Sequence, residues 1–244
     1  MTRWIYIGKD LKGTPFWEKL KERDDVDFLD GVPSLKDLKG KELVIETFLE
    51  TDRKEEILKA LADCKEWQGT VASLIEKDSA TYWAIRSGIG GRFVGFISAP
   101  GAGRNGSIEL LRGEITDPAA VDYSVNAFRE MELLVTVCRD QAGGILSRVL
   151  AGMINEAAMM AQNGIASVDK IDNMMRLAAN FPMGPFEWAD KIGLDRLLDL
   201  LESLTKEFGP MYQPSPMIRR KVEAGKLGVK TGEGFYTYAE GAAQ

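Results

Sequence analysis

The chain has 244 residues, of which 45% are hydrophobic and 28% charged, as in a folded globular protein with one large or two smaller domains. Its net charge of −6 argues against nucleic-acid and anionic-membrane partners, because both favour a basic face. No histidine is present, which excludes an imidazole base, acid or metal ligand. The isolated Cys64 and Cys138, an amino terminus unlike a signal peptide and the lack of a long apolar run predict a reduced, cytoplasmic protein.

The first half of the chain alternates strand and helix patterns. A helix is predicted over residues 16–23, with Thr14 as its N-cap and Pro15 at its first position, and a charged helix over 52–62. Short apolar runs predict strands at residues 4–8, 26–31, 42–47, 69–75, 93–97 and 133–137. The alternation predicts an α/β fold for residues 1–140, a parallel or mixed sheet with helices on its faces.

The second half changes to helical periodicity. Apolar residues recur at helical spacing from Ile145 to Gln162, and Asn163-Gly164 is typical of a left-handed C-terminal cap. Further helices are predicted from Ser167 to Ala179, from Gly184-Pro185 toward Phe208, and after Pro214 and Pro216. Residues 141–244 are therefore predicted to form an all-helical domain.

Three motifs of the helical half occur together and in order. They are the stretch from Phe181 to Asp190 with Gly193-Leu-Asp195, the stretch Gln213-Pro-Ser-Pro216, and the stretch from Gly225 to Tyr236. With these motifs the chain resembles the 3-hydroxyacyl-CoA dehydrogenase family over residues 92–238, and more weakly over 42–76. The resemblance implies a shortened Rossmann-like N-terminal domain followed by an all-α C-terminal domain, in which the motifs themselves serve as scaffold.

The family oxidises a 3-hydroxy group with NAD, using a histidine that takes the hydroxyl proton and a glutamate that holds the imidazole. The stretch from Arg92 to Phe96 matches the opening of the histidine segment, and the next residue is Ile97. Glu109 follows twelve residues later, at the position of the partner glutamate. The resemblance thus implies that the base is replaced by Ile97 and that Glu109 is a retained, vestigial catalytic residue.

Two more polar positions of the family's site are altered. The stretch 70–74 places Ala72 at the first of two serines and leaves Ser73 at the second. The stretch 142–148 places Ser147 at an asparagine, where a hydroxyl cannot offer the paired donor and acceptor of an amide. Ser73 and Ser147 remain as the candidate substrate-binding residues.

The nucleotide end also differs from a dinucleotide fingerprint. The loop from Gly8 to Gly13 is interpreted as keeping one glycine near its place, with Asp10 adding negative charge. Residues 101–106 do read G-x-G-x-x-G, but they follow the histidine-like segment and are interpreted as a flexible loop. Asp30 is either a remnant of the ribose-binding acid or a solvated loop residue. We therefore expect no cofactor-binding residues, no metal and no cofactor, with NAD required only if the chain is active.

Three functions remain open from the sequence. The first is a degenerate family member that has lost redox catalysis and acts as a binding or scaffolding subunit in acyl-CoA metabolism. It would be a homodimer or part of a hetero-oligomer, because the helix from Ile145 to Gln162 resembles the family's dimerisation element. Its ligand would be an acyl-CoA. The methionines of this helix, Met153, Met159 and Met160, are explained equally well by packing within a single chain. The second is an active NAD-dependent dehydrogenase with a rearranged site that uses Glu109. In the third, Glu109 acts as a base in a non-redox acyl-CoA reaction.

Overall fold

A computed structural model describes residues 2–11, 14–98 and 106–238. The chain divides into two compact units, Met1–Gly144 and Ile145–Gln244. The predicted boundary at residue 140 lies slightly before this division. Within the described residues, no helix is both long enough and apolar enough to cross a bilayer.

The first unit is built on a seven-stranded sheet. Its strands are β1 (Trp4–Ile7), β2 (Val26–Leu29), β3 (Leu43–Glu46), β4 (Thr70–Leu74), β5 (Phe93–Ile97), β6 (Ser107–Arg112) and β7 (Leu134–Arg139). Their order is β2-β1-β3-β4-β5-β6-β7; β1 to β5 are parallel, β6 is antiparallel to β5, and β7 is parallel to β6. Every residue of β1 and β3 is buried, because helices cover both faces of a parallel sheet. Burial explains the apolar run of these strands, which in β3 ends at the buried Glu46.

Among the described residues, five α-helices accompany the sheet. They are α1 (Pro15–Lys21), α2 (Leu35–Leu38), α3 (Thr51–Asp63), α4 (Ala80–Ser87) and α5 (Pro118–Glu130). The predicted start of α1 is confirmed: Pro15 is its first residue, and the Thr14 side chain accepts a hydrogen bond from Trp17 N. Helices α2, α4 and α5 were not predicted. Ser79, which caps Tyr82 N, and Pro118, which begins α5, are the sequence signals that mark two of them.

Two apolar clusters cover the two faces of the sheet. On one face, Phe16 of α1 and Phe128 of α5 pack with Phe96. On the other face, α3 and α4 pack over a cluster that includes Ile97 and Leu111. The fold is therefore the expected Rossmann-like sheet between helical layers.

The second unit is helical. Its helices are α6 (Leu146–Gln162), α7 (Val168–Ala179), α8 (Pro185–Ile192), α9 (Leu194–Phe208) and α10 (Pro216–Glu223). The prediction of one helix from Pro185 to Phe208 is wrong, because the chain breaks at Gly193. Gly193 has a φ of 100°, which side-chain-bearing residues rarely adopt.

The motif residues of the second unit hold its segments to one another. Asp190 accepts hydrogen bonds from Phe235 N at 2.8 Å, Tyr236 N at 2.9 Å and the Tyr238 hydroxyl at 2.9 Å. The Gln213 motif is fixed by Asn155, whose side chain donates to Gln213 O at 2.9 Å. These contacts give the three motifs a scaffold role.

Candidate active site

Ile97 and Glu109 stand opposite each other in the antiparallel ladder between β5 and β6. Ile97 is 3% exposed and belongs to the apolar cluster under α3 and α4, and Glu109 is 8% exposed. Gly144 passes beside both side chains with a φ of 54°. A Cβ on Gly144 would collide with Glu109 Oε2 and Ile97 Cδ1. The two positions for which the resemblance predicts the replaced base and its partner glutamate thus hold an aliphatic side chain and a carboxylate next to each other.

Ser73 lies in a different group of buried polar residues. Its hydroxyl donates to Glu46 Oε2 at 2.6 Å and accepts from Lys54 Nζ at 2.9 Å. Lys54 Nζ also pairs with Glu46 Oε2 and donates to Leu74 O at 2.9 Å. The three side chains are 0–3% exposed, so this ion pair has lost its water and is compensated by hydrogen bonds within the protein. The hydroxyl hydrogen of Ser73 is donated inside the protein and is not offered to a substrate.

Lys54 was missed by the sequence analysis. It sits in the first turn of α3, inside a run of charged residues that is typical of a solvated face. The Lys54 ammonium is 5.8 Å from the centre of the Trp83 ring, so an aromatic side chain also packs over it. Its spacing from the buried Ile57 and Leu58 is the signal that places it on the inward face of the helix.

Ser73 is paired with Gly95, which lies two residues before Ile97, and Ile97 is paired with Glu109. Side chains two residues apart on a strand share a face, so Ser73, Ile97 and Glu109 lie on one face of the sheet. Ala72 points to the opposite face and is buried in the other apolar cluster. Ser147 lies in the first turn of α6, in the second unit, and is partly exposed. The structure therefore brings Ile97 and Glu109 together and places Ser73 in the cluster with Glu46 and Lys54.

In this sheet β2 lies on one side of β1 and β3 lies on the other, so the strand order reverses at β1. A doubly wound sheet binds its ligands at such a point, which here is the crevice between β1 and β3. Hydrogen bonds join the two turns that border this crevice. The Tyr6 and Thr47 hydroxyls are 2.7 Å apart, and burial raises the pKa of Tyr6 to about 12. The Asp10 carboxylate accepts from Leu49 N at 2.9 Å. Lys9 Nζ lies 2.8 Å from Glu50 Oε1.

The described residues of this crevice do not fit the usual cradle for a dinucleotide pyrophosphate. Asp10 directs a carboxylate to the turn after β3, and Pro15 removes an N–H from the first turn of α1. Asp30 is exposed, and its carbonyl oxygen lies 3.5 Å from the Arg53 guanidinium. Residues 101–105 of the second glycine motif lie outside the described residues.

The interpretation that one glycine survives in the first loop needs correction. With Gly8 at the first position of G-x-G-x-x-G, Gly13 stands at the third and Asp10 replaces the second. The loop therefore differs from the fingerprint at a single glycine.

A doubly wound sheet followed by a helical unit is an architecture of dehydrogenases that use a dinucleotide. The family model for the 3-hydroxyacyl-CoA dehydrogenase C-terminal domain matches residues 143–238. The probable 3-hydroxybutyryl-CoA dehydrogenase of Deinococcus radiodurans is 34% identical over 206 residues, which cover 84% of this chain and 74% of that protein. The 3-hydroxybutyryl-CoA dehydrogenase of Bradyrhizobium diazoefficiens is 36% identical over 206 residues, which cover 84% of this chain and 70% of that protein. The chain belongs to the 3-hydroxyacyl-CoA dehydrogenase family.

Solved structures agree with this assignment. The (S)-3-hydroxybutyryl-CoA dehydrogenase PaaH1 of Ralstonia eutropha superposes with a TM-score of 0.77 at 31% identity, covering 88% of this chain and 76% of that one. FadB2 of M. tuberculosis gives a TM-score of 0.84 at 25% identity, covering 98% and 99%. The predicted fold, a Rossmann-like domain followed by an all-α domain, is confirmed.

The expectation that the chain has no cofactor is contradicted. The relatives are named as dehydrogenases, a class of enzymes that pass a hydride to a carrier such as NAD. The relatives therefore point to NAD as the cofactor, although the described turn after β1 departs from the usual cradle.

Proposed function

We propose that this chain is a family member that has lost NAD-dependent oxidation of 3-hydroxyacyl-CoA and serves as a binding or scaffolding subunit in acyl-CoA metabolism. The observation that carries the proposal is the buried Ile97 at the position of the base, opposite Glu109. The proposal concerns the proton transfer and leaves NAD as the cofactor to which the relatives point.

Oxidation of a secondary alcohol requires the hydroxyl proton to leave as the hydride departs. A general base must lie within hydrogen-bonding distance of that proton, and its removal slows such reactions by roughly 10²–10⁴-fold. Ile97 has no lone pair to accept the proton. Leu111 and Trp83, which belong to the same apolar cluster, offer no base either. The site therefore retains the frame of the family's proton relay without the group that accepts the proton.

The test is a turnover assay with the purified full chain, acetoacetyl-CoA and NADH, followed by the loss of NADH absorbance. We expect no rate above the blank without protein. In parallel, calorimetric titration with acetoacetyl-CoA should give saturable binding. Robust turnover would contradict the loss of catalysis, and absence of acyl-CoA binding would contradict the role in acyl-CoA metabolism.

A second candidate is an active dehydrogenase with a rearranged site in which Glu109 is the base. Two observations favour it: Glu109 is retained beside Ile97 and Gly144, and the relatives are named as dehydrogenases. In this case turnover would be measurable and Glu109→Gln would abolish it, because an amide does not accept the proton. The non-redox alternative predicts instead that solvent deuterium enters the acyl chain without NAD, and that Glu109→Gln stops this exchange.

We also propose that two copies of the chain associate through the second unit. An apolar groove of about 610 Å³ lies between α6 and α7 and is lined by Met153, Met160 and Met174, with Glu156 and Lys170 among its lining residues. Opposite charges in one groove suit a twofold contact, in which each patch meets its own copy. Light scattering should give a dimer, and Met174→Asp should give a monomer; a monomeric parent chain would contradict the proposal. A cytoplasmic location stays a prediction.

A further inference from the structure

We infer that Asp10 is the residue that limits the affinity of this chain for a dinucleotide. The inference rests on the proposed function only for the identity of the ligand. It concerns binding in the β1–β3 crevice, and not the proton transfer at Ile97.

Asp10 occupies a position of the loop at which the dinucleotide fingerprint has a glycine. In G-x-G-x-x-G the second glycine has no side chain, which lets the backbone approach the pyrophosphate. Gly8 and Gly13 keep the first and third positions, and Asp10 stands at the second. A side chain at this position therefore occupies space that the phosphates need.

Asp10 also makes a contact that spans the crevice. Its carboxylate Oδ2 accepts from Leu49 N at 2.9 Å, across the crevice from the turn after β1 to the turn after β3. The neighbouring Thr47 is fully buried and is joined to Tyr6 and to Ile7 O, so the turn after β3 is held close. The carboxylate thus occupies the crevice and satisfies a backbone donor there.

The charge of the Asp10 carboxylate also disfavours a bound dinucleotide. A pyrophosphate carries negative charge, and a carboxylate a few ångströms away opposes it strongly in a partly enclosed site. Lys9, the adjacent cation in the loop, is itself paired with Glu50. A bound dinucleotide must therefore displace the Asp10 carboxylate from Leu49 N and still remain near its charge.

The experiment measures NADH binding to the full chain by calorimetry at low salt. Asp10→Gly, which restores the fingerprint, should bind NADH at least ~10-fold more tightly than the parent chain. Asp10→Asn removes the charge but keeps an oxygen that can accept from Leu49 N, and should fall between the two. Asp122→Asn on the exposed surface of α5 makes the same change in net charge and should leave the affinity within about twofold.

The outcomes separate clearly. Tighter binding by Asp10→Gly and Asp10→Asn, or binding that appears only in these variants, supports the inference. Equal affinity for the parent and both variants, or no binding by any of them, overturns it. If Asp10→Gly does not fold, Asp10→Asn alone decides. Because the readout is binding, the inference can fail while the turnover result stands, and turnover in the parent chain would contradict only the proposed function.

Discussion

In the sheet unit the buried Glu46 carboxylate accepts hydrogen bonds from the Lys54 ammonium and the Ser73 hydroxyl. In the helical unit Asp172 and Asp190 accept instead from backbone N–H groups and tyrosine hydroxyls. Both arrangements satisfy carboxylates away from water, but the first balances the charge with a cation and the second disperses it over dipoles.

The difference has consequences for the two units. Burial raises the pKa of Asp172 and of Asp190, since the hydrogen bonds that favour their ionised forms do not fully offset the loss of water. Asp190 accepts from Phe235, Tyr236 and Tyr238, and Asp172 accepts from the Tyr236 hydroxyl. These hydrogen bonds hold the turn at residues 235–238 in place. The pair Glu46–Lys54 instead ties β3 to α3 and, through Ser73, to β4. The helical motifs thus identify the family through structural roles, and the sheet unit carries the changes at Asp10, Ala72 and Ile97 that bear on function.

The largest effect is expected from removing the cation of the sheet unit. Lys54→Met leaves the Glu46 charge buried and unpaired, which should lower the free energy of unfolding by about 3–5 kcal/mol. Glu46→Gln in the same chain should recover part of this loss. Lys59→Met, on the exposed side of the same helix, should change it by less than ~0.5 kcal/mol. Urea unfolding checks all three, and equal effects at Lys54 and Lys59 would show that the buried pair does not stabilise the unit.

A somewhat smaller effect is expected in the helical unit. Asp190→Ala leaves the donors at Phe235, Tyr236 and Tyr238 without their acceptor, and should lower the free energy of unfolding by about 2–4 kcal/mol. Glu223→Ala, an exposed carboxylate of α10, is the control and should stay within about 0.5 kcal/mol. A loss below 1 kcal/mol at Asp190 would mean, roughly, that water replaces the carboxylate at little cost.

One aspartate of each unit, Asp172 in the helical unit and Asp25 in the sheet unit, should respond oppositely to acid. The raised pKa of Asp172 makes its contribution fully present below the unfolded pKa, about 3.9, and lost as pH rises through the folded pKa. Asp25 differs, because its hydrogen bond to Arg23 lowers its pKa; its contribution is present above about 3.9 and is lost as pH falls through the folded pKa. As the pH falls, the free energy of unfolding of the parent chain should therefore rise relative to that of Asp172→Asn. Compared with that of Asp25→Asn, it should fall. Urea unfolding at a series of pH values measures how each difference in the free energy of unfolding changes with pH. Changes of the same sign for Asp172→Asn and Asp25→Asn would contradict the prediction.

The smallest effect is expected for Ile97→His. NADH oxidation with acetoacetyl-CoA should stay at the blank, because Asp10, Ala72 and Ser147 still differ from the family's pattern. The variant should also be destabilised by about 1–3 kcal/mol, since a polar ring enters an apolar cluster. A large gain in rate from this one substitution would show that the other differences matter little.

Local sequence features predicted much of this molecule, and long-range contacts limited the rest. The apolar runs of β1 and β3 and the Thr14 cap are short-range signals, and the structure has them where they were predicted. The family register placed Glu109 against Ile97, and the two are paired in the ladder. The Lys54 cluster and the Asp10–Leu49 contact join residues distant in sequence, which no local pattern reveals. The break at Gly193 was missed because apolar spacing continues on both sides of a single glycine.

The antiparallel pairing of β5 with β6 has a consequence for how the site can be lost. Ile97 and Glu109 are cross-strand partners, so the register of the two strands sets which face of the sheet receives the carboxylate. Side chains alternate along a strand, and a shift of the pairing by one residue would turn Glu109 to the opposite face. A change that slips this register by one residue would therefore remove the carboxylate from the site while Glu109 itself is not substituted.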